Sequence, residues 1–367
     1  LRTRDHYYLR EKSVSDTDTI VVNLDTNEPI SFLKIEVEAT NGSTSSIGHE
    51  PHDDISRIEL VDGSRVVASL SMADWIALNA YELGKIPAYN LSEAADAVQE
   101  ESCFLHFGRN QGDPNLYIRP GDFNNLQLRI TIALTVSATV GFATGTGKVS
   151  VMARVIEEGA GVYQGYLAGK EKYSWTSATS GEEVIDLPTD HPYRYIGVKA
   201  LKTLLTPREV ISQVKVSLDS DSRVPFNIYT EDLADENERL FGQFRQSKIV
   251  LAGDDDVRLL DLYNIQDGVV RANVDEHLAT LEAIDAESVQ AGLYDLSTAA
   301  TPALQTTDKD LAVTVWGLAP AGIYLLPFGD PNDFDTWLDV RDWSDVKVVC
   351  TQAAAGACKI LLQQHIV

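Results

Sequence analysis

Two halves of this chain repeat one another, and that duplication restricts the possible folds more than any other feature. Ile55-Ser56 aligns with Ile211-Ser212, and Ser64-Arg65-Val66 with Ser222-Arg223-Val224. From there Asp74, Asn79 and Gly84 fall on Asp232, Asn237 and Gly242 without a gap. A second block pairs Tyr117-Ile118 with Trp337-Leu338, Asp122-Phe123 with Asp342-Trp343, and Leu126 and Leu128 with Val346 and Val348. Both halves then close on a glycine turn and a last strand, Lys148–Ile156 in one and Lys359–Ile366 in the other. Scattered identities arise by chance, but a shared order of strand, turn, strand, capped helix and closing hairpin points to internal duplication.

The repeated unit has β periodicity. Between Ile130 and Gly147, Ile130, Ile132, Leu134, Val136, Ala138, Val140 and Phe142 fall on one face, with small and hydroxylated residues on the other. Successive strand side chains point to opposite sides, so the run predicts one long or bent strand with a buried face. Gly145-Thr146-Gly147 turns the chain, and Val149, Val151, Ala153 and Val155 alternate again, which predicts a hairpin. Earlier strands are expected at Ile20–Val22, Phe32–Ala39, Ile55–Val61 and Arg65–Ser71, the last two joined by Asp62-Gly63. The second half repeats them at Tyr193–Thr203, Val210–Leu218 and Arg223–Tyr229, with a turn at Asp219-Ser220-Asp221.

Ser71 with Asp74 predicts a helix start; Met72, Trp75, Ile76, Ala80 and Leu83 share a face, and Gly84 is placed to end it. Thr230 is expected to cap the corresponding helix, which runs through Leu233, Leu240 and Phe241 to Gly242. Size and strand count suit an all-β chain of two tandem eight-stranded jelly rolls (β-sandwiches), each with a short helix. The expected organisation is an N-terminal arm at 1–13 and a first jelly roll at 14–160. A linker with the first strands of the second unit follows at 161–190, then a second jelly roll with long inserted loops at 191–367.

Charge narrows the function. Lys plus Arg is 30 and Asp plus Glu is 55 over 367 residues, so 30 − 55 = −25. A phosphate-binding groove needs clustered Lys and Arg, which this balance argues against. A hydrophobic share of 44% suits a folded chain with substantial cores. Cys103, Cys350 and Cys358 make no even framework and lack zinc spacing, so they read as small buried hydrophobes. No apolar targeting segment opens the chain at Leu1, as expected of numbering that starts after processing or trimming. The uncharged run from Ile130 to Gly147 is too rich in Thr and Gly for a membrane helix.

Catalytic signatures fail one after another. Gly141–Lys148 has Phe142 where a phosphate loop needs its first glycine, and Val149 where it needs Ser or Thr. Gly159-Ala160-Gly161 has Gln164 at the third-glycine position of a dinucleotide fingerprint, and no Gly-x-Ser-x-Gly elbow exists. In His49-Glu50-Pro51-His52-Asp53-Asp54, Pro51 prevents the helical His-Glu-x-x-His arrangement; a polar loop is expected, with a transition-metal site as the alternative. Two acidic loops are calcium candidates, Asp254, Asp255 and Asp256 in one and Asp330, Asp333 and Asp335 in the other, although neither matches the twelve-residue hand. Trp75, Trp316, Trp337 and Trp343 sit in apolar periodic segments and read as core. The expectation is a chain with no catalytic residues and no cofactor, calcium being possible.

Two tandem β units, each with a helix after its strand–turn–strand element, resemble the double jelly-roll major capsid proteins of tailless icosahedral viruses that enclose a lipid membrane. The residues behind the resemblance are Ile55–Gly84 with Ile211–Gly242, and Tyr117–Ile156 with Trp337–Ile366; the stretch Gly253–Thr307 has no counterpart of equal length. The resemblance implies a homotrimer whose six jelly rolls form a pseudo-hexagonal capsomer. Its partners would be neighbouring capsomers and other capsid proteins of the virion shell, assembled in the host cytoplasm, without sequence-specific nucleic-acid contact. The alternatives are a two-jelly-roll glycan-acting enzyme or lectin, and a minor capsid or spike protein. Residues Leu1–Lys12 add Arg2, Arg4, Arg10 and Lys12 against Asp5 and Glu11, a local +2 with Tyr7, Tyr8 and Leu9 interspersed. That composition is expected of an arm facing an anionic inner membrane.

Overall fold

The computed structural model describes residues 1–203, 205–252, 258–261, 265–273, 288–291, 294–295, 303–304 and 309–367. The first unit comprises β1 (Arg2–Ser13), β2 (Thr17–Asn23), β3 (Ile30–Thr40), β4 (Ile55–Asp62), β5 (Arg65–Leu70), helix α1 (Met72–Leu83), the short β6 (Tyr89–Asn90), β7 (Val98–His106), β8 (Leu126–Ala133) and β9 (Lys148–Glu158). The second opens with β10 (Tyr166–Thr176), β11 (Glu182–Asp186), β12 (Tyr193–Leu201), the one-turn α2 (Pro207–Val210), β13 (Ile211–Leu218), β14 (Arg223–Tyr229) and helix α3 (Thr230–Phe241). An insertion follows with β15 (Phe244–Ala252), β16 (Arg258–Asp261), β17 (Asp267–Asn273), β18 (Ser288–Ala291), β19 (Tyr294–Asp295), β20 (Ala303–Leu304) and β21 (Lys309–Leu318). The unit closes with β22 (Ile323–Pro327), β23 (Val346–Gln352) and β24 (Ala357–Ile366).

The strand order is the same in both units. In the first, β1-β9-β3-β7 forms one sheet, extended by β6, and β2-β8-β4-β5 runs as a second set. In the second, β10-β24-β12-β22 and β11-β23-β13-β14 repeat those two orders strand for strand. Alternation fills each core: Leu33, Ile35 and Val37 of β3 meet Ile58 and Leu60 of β4 and Leu128 and Ile130 of β8 in one apolar cluster. Ile196 and Val198 of β12 do the same with Val214 and Val216 of β13 and Val348 of β23. The first unit is joined to the second through a parallel contact at Ser69↔Lys170, which makes β2-β8-β4-β5-β10-β24-β12-β22 one continuous sheet.

Both twelve-residue helices begin and end at aligned residues, α1 after Ser71 and α3 after Tyr229. Ser71 accepts from the Asp74 N–H, as its spacing predicts, and Gly84 ends α1 in the left-handed region at φ 67°. Thr230 is not the cap it was expected to be. It is the first residue of α3, and its hydroxyl donates to the Ile211 carbonyl, tying the helix to β13. The units also share a turn before the strand–turn–strand element, Pro51–Asp54 in one and Pro207–Val210 in the other, each with a reciprocal capping box.

Two sequence expectations need correction. The alternating run is not one long strand: β8 ends at Ala133, and Val136 and Val140 are exposed. Its hairpin with Lys148–Ile156 does not form either, because β8 and β9 belong to opposite sheets. The intervening residues cross between sheets, with Gly42 and Gly141 at close backbone approaches; a Cβ at Gly141 would lie 2.1 Å from the Thr135 carbonyl oxygen. Alternation reports that one face is buried, not which strand lies alongside.

Candidate assembly interface

Helix α1 is wedged between the two units, and ten of its twelve residues are buried. It lies on the outward face of the second unit's β10-β24-β12-β22 sheet and touches all four strands. Trp75 packs against Gly169 of β10, where a Cβ would lie 2.8 Å from the indole. Asp74 accepts from Lys199 Nζ of β12 at 2.6 Å and from Lys359 Nζ of β24 at 3.2 Å. The Tyr81 hydroxyl donates to the Ile323 carbonyl of β22. Glu82 accepts from Gln363 at 2.8 Å and lies 3.6 Å from Arg194. Leu361, Ile323, Leu325 and Tyr195, which point outward from the second unit, belong to the first unit's apolar cluster. That sheet is therefore apolar on both faces, and the two units share one core surface.

Electrostatics makes this contact selective. Burial works against ionising Asp74, but Lys199 and Lys359 outweigh it and hold the carboxyl down at about 2. Burial likewise opposes the Glu82 carboxylate, and His106 and Arg194 prevail to lower it. Buried ion pairs contribute little net stability over apolar packing, yet they penalise misplacement because a displaced charge stays desolvated.

Asn79 and Asn237 repeat a second device. Asn79 donates to the Phe104 carbonyl of β7 at 2.8 Å and accepts from the Phe104 N–H at 2.6 Å. Asn237 donates to the Leu325 carbonyl of β22 at 2.9 Å and accepts from the Leu325 N–H at 3.0 Å. Each side chain thus acts as one more strand residue at the rim of its own sheet. The alignment picked out both asparagines and both aspartates; what it could not supply was Lys199, Lys359, Gly169 and Arg194, which lie on a sheet face that sequence reads as solvent.

The His49–Asp54 segment, expected as a polar loop, is polar but largely buried, with a helical turn at Pro51–Asp54. Glu50, His52 and Glu101 bring their ligand-type atoms within 4.8 Å of one another, the one such group among the described residues. An ammonium already sits there: Lys248 Nζ of β15 is 3.1 Å from Glu50, while His52 Nδ1 is 2.8 Å from Glu101. Burial raises the Glu50 carboxyl to about 7 against the pull of Lys248 and His52. At His52 burial disfavours the cation, but Glu101 and Asp53 override it and raise the imidazole well above its ordinary value. A mixed cationic and anionic set of this kind ties the insertion to the first unit.

The remaining sequence candidates are dispersed. Asp330, Asp333 and Asp335 sit on an exposed turn, where Asp330 accepts from the Asn332 N–H and Asp333 from the Asp335 N–H. Asp254, Asp255 and Asp256 lie outside the described residues. The stretch 1–13, expected as a separate arm, is instead part of the first unit's sheet: Arg2–Ser13 run as β1 along β9 from Arg2↔Glu158 to Ser13↔Lys148. Arg2 pairs with Glu157 and Glu158, and Arg4 with Glu28 and Glu157, while Arg10 and Lys12 are exposed. Of the four tryptophans expected in the core, Trp75 and Trp337 are buried, while Trp316 and Trp343 are half-buried. Cys103, Cys350 and Cys358 are free and buried.

No protein-family model matches the chain, and no curated protein matches it in sequence. Solved structures do match over its whole length. The major capsid protein P2 of bacteriophage PM2 is similar with a TM-score of 0.57 at 9% identity, covering 100% of this chain and 98% of that one. The major capsid protein of Sulfolobus turreted icosahedral virus gives 0.59 at 8% identity, over 99% and 96%. The PBCV-1 virus capsid gives 0.57 at 12% identity, over 99% and 93%. All three are named as capsid proteins or capsid structures. The chain has the β-rich fold of several viral major capsid proteins of the double jelly-roll type.

Proposed function

We propose that the chain is a viral major capsid protein, built as two tandem eight-stranded jelly rolls and acting as a homotrimer in an icosahedral shell. The observation that carries this reading is the repetition itself: two units of one strand order, with the helix of the first seated on the sheet of the second. A contact between one face of a unit and a different face of the next is head-to-tail, and head-to-tail contacts close into rings when the rotation permits. Three chains then present six similar units, a pseudo-hexagonal capsomer that can tile a shell. Its partners are neighbouring capsomers and other capsid proteins, and its place is the virion, around membrane and genome, after assembly in the host cytoplasm. Size-exclusion chromatography with light scattering should report about three times the 40.3 kDa chain. A strictly monomeric species at micromolar concentration would contradict the reading.

A further inference from the structure

The turn before the strand–turn–strand element is built twice, and the two copies differ where the first carries ligand-type side chains. Pro51 aligns with Pro207 and Asp53 with Glu209, and both turns close the same capping box. Glu50 then falls on Thr206, and His52 on Arg208. The asparagine clamps equate Phe104 with Leu325, so Glu101 falls on Gly322. The second unit thus forms the same turn and rim with none of the three. It uses Thr206, an ordinary helix cap, and Arg208, which pairs with Asp267 at 2.9 Å. Folding of the unit does not call for Glu50, His52 and Glu101, yet the first unit buries all three together. We propose that Glu50, His52 and Glu101 form a binding site for a transition-metal dication, zinc being the representative, which fastens the Pro51–Asp54 turn to β7. The site is independent of how copies of the chain assemble.

The donor atoms converge from defined elements. His52 Nδ1 lies 2.8 Å from Glu101 Oε2 and 3.5 Å from Glu50 Oε2, and the ligand atoms all lie within 4.8 Å of one another. Ligands about 2.0–2.2 Å from a tetrahedral zinc stand roughly 3.3–3.6 Å apart, so side-chain shifts of about 1 Å seat an ion. The His52 N–H donates to Glu101 Oε2 at 2.9 Å, which holds that carboxylate to the turn before any ion arrives. Asp53 Oδ1, 3.5 Å from His52 Nε2, stands where a metal-bound histidine has its outer carboxylate. Lys248 Nζ approaches the other oxygen of Glu50, Oε1, at 3.1 Å, and Glu93 Oε1 at 3.9 Å. Ammonium and metal ion therefore use different oxygens of Glu50.

Charge favours a dication. Glu50, Glu93 and Glu101 bring three carboxylates into the buried pocket, against the Lys248 ammonium and the His52 imidazolium. One negative charge is left over, at a cost that burial makes large. Outside this set His49 lies 3.0 Å from Asp54, and Asp53 reaches solvent. A dication bound at Nδ1 displaces one proton from His52 to solvent and leaves the pocket neutral. Two carboxylates and an imidazole suit zinc, whereas calcium and magnesium take oxygen ligands. Three protein ligands leave a fourth position to water. Proton and metal compete for one nitrogen, so binding should weaken as pH falls.

The test is metal uptake by the full chain, stripped with chelator and then dialysed against zinc chloride. Elemental analysis should find one zinc per chain, and the urea midpoint should rise with zinc. X-ray absorption at the zinc edge should show one imidazole among oxygen ligands, with no sulfur. Glu50→Thr/His52→Arg installs the residues that the second unit carries there, and should lose the zinc while keeping the circular dichroism spectrum. Glu101→Gln, which can still accept from the His52 N–H, should lose it too. A parent chain that retains no zinc, or zinc held by sulfur or by oxygen alone, would overturn the proposal. So would undiminished uptake by both variants, or an equal rise in midpoint with calcium chloride. The absorption spectrum is read on the unmodified chain, so it decides the question even where a variant does not fold.

Discussion

Replacing Asn79 and Asn237 by alanine, singly and together, tests whether the two units are physical repeats. Both side chains are fully buried, and each makes two hydrogen bonds to one backbone residue of its sheet rim. Alanine removes both bonds and leaves a peptide N–H and C=O facing a void. A buried polar group stripped of its partner costs about 1–3 kcal/mol, so each substitution should cost roughly 2–4 kcal/mol after partial relaxation. Asn237 also donates to the Leu233 carbonyl within its own helix, and Asn79 contacts Glu82, so neither site has an extra tie to its sheet. Because the two sites share no partner, the double variant should lose the sum of the single losses to within about 0.5 kcal/mol. Urea unfolding followed by tryptophan fluorescence, with refolding verified, gives the three values. If one asparagine is costly and the other nearly silent, the claim of a repeated clamp is wrong.

Gly169→Ala should destabilise the chain by about 1–3 kcal/mol through the clash with Trp75, and Trp75→Phe should recover part of that loss in the same urea assay. Acid should loosen the contact between units. A carboxyl lowered in the folded state contributes stability that is present above its unfolded value and lost as pH falls through the folded one. Asp74, lowered to about 2, should therefore contribute roughly 2 kcal/mol above pH 4 that disappears towards pH 2. The urea midpoint followed between pH 5 and pH 2.5 should fall less steeply in Asp74→Asn than in the parent; equal slopes would remove Asp74 from this role.

The sequence carried strand and helix positions well where two signals coincided. Arg223–Tyr229 and the two helix ends were readable because alternation or helical spacing met a turn or a glycine at the boundary. Where alternation stood alone it misled: the run past Ala133 keeps its period while Val136 and Val140 turn to solvent, and β8 pairs with β2 and β4 rather than β9. Residues 2–13 were read by their charge, which does not reveal that Arg2 and Arg4 find carboxylates on β9 and before β3. The inter-unit surface was hidden for a related reason. Lys199 and Lys359 look like the solvent side of their strands, and only the arrival of α1 buries the first and half-buries the second. Glu50 and Lys248 meet across 198 positions in the chain, a separation over which local pattern holds no information.

The central claim is that the chain is two similar units, three copies of which close into a ring of six. Averaged electron micrographs of the purified protein measure this most directly. The account predicts a three-fold particle with six peripheral lobes, two from each chain. Two-lobed particles at all concentrations, or rings with any other number of lobes, would contradict it.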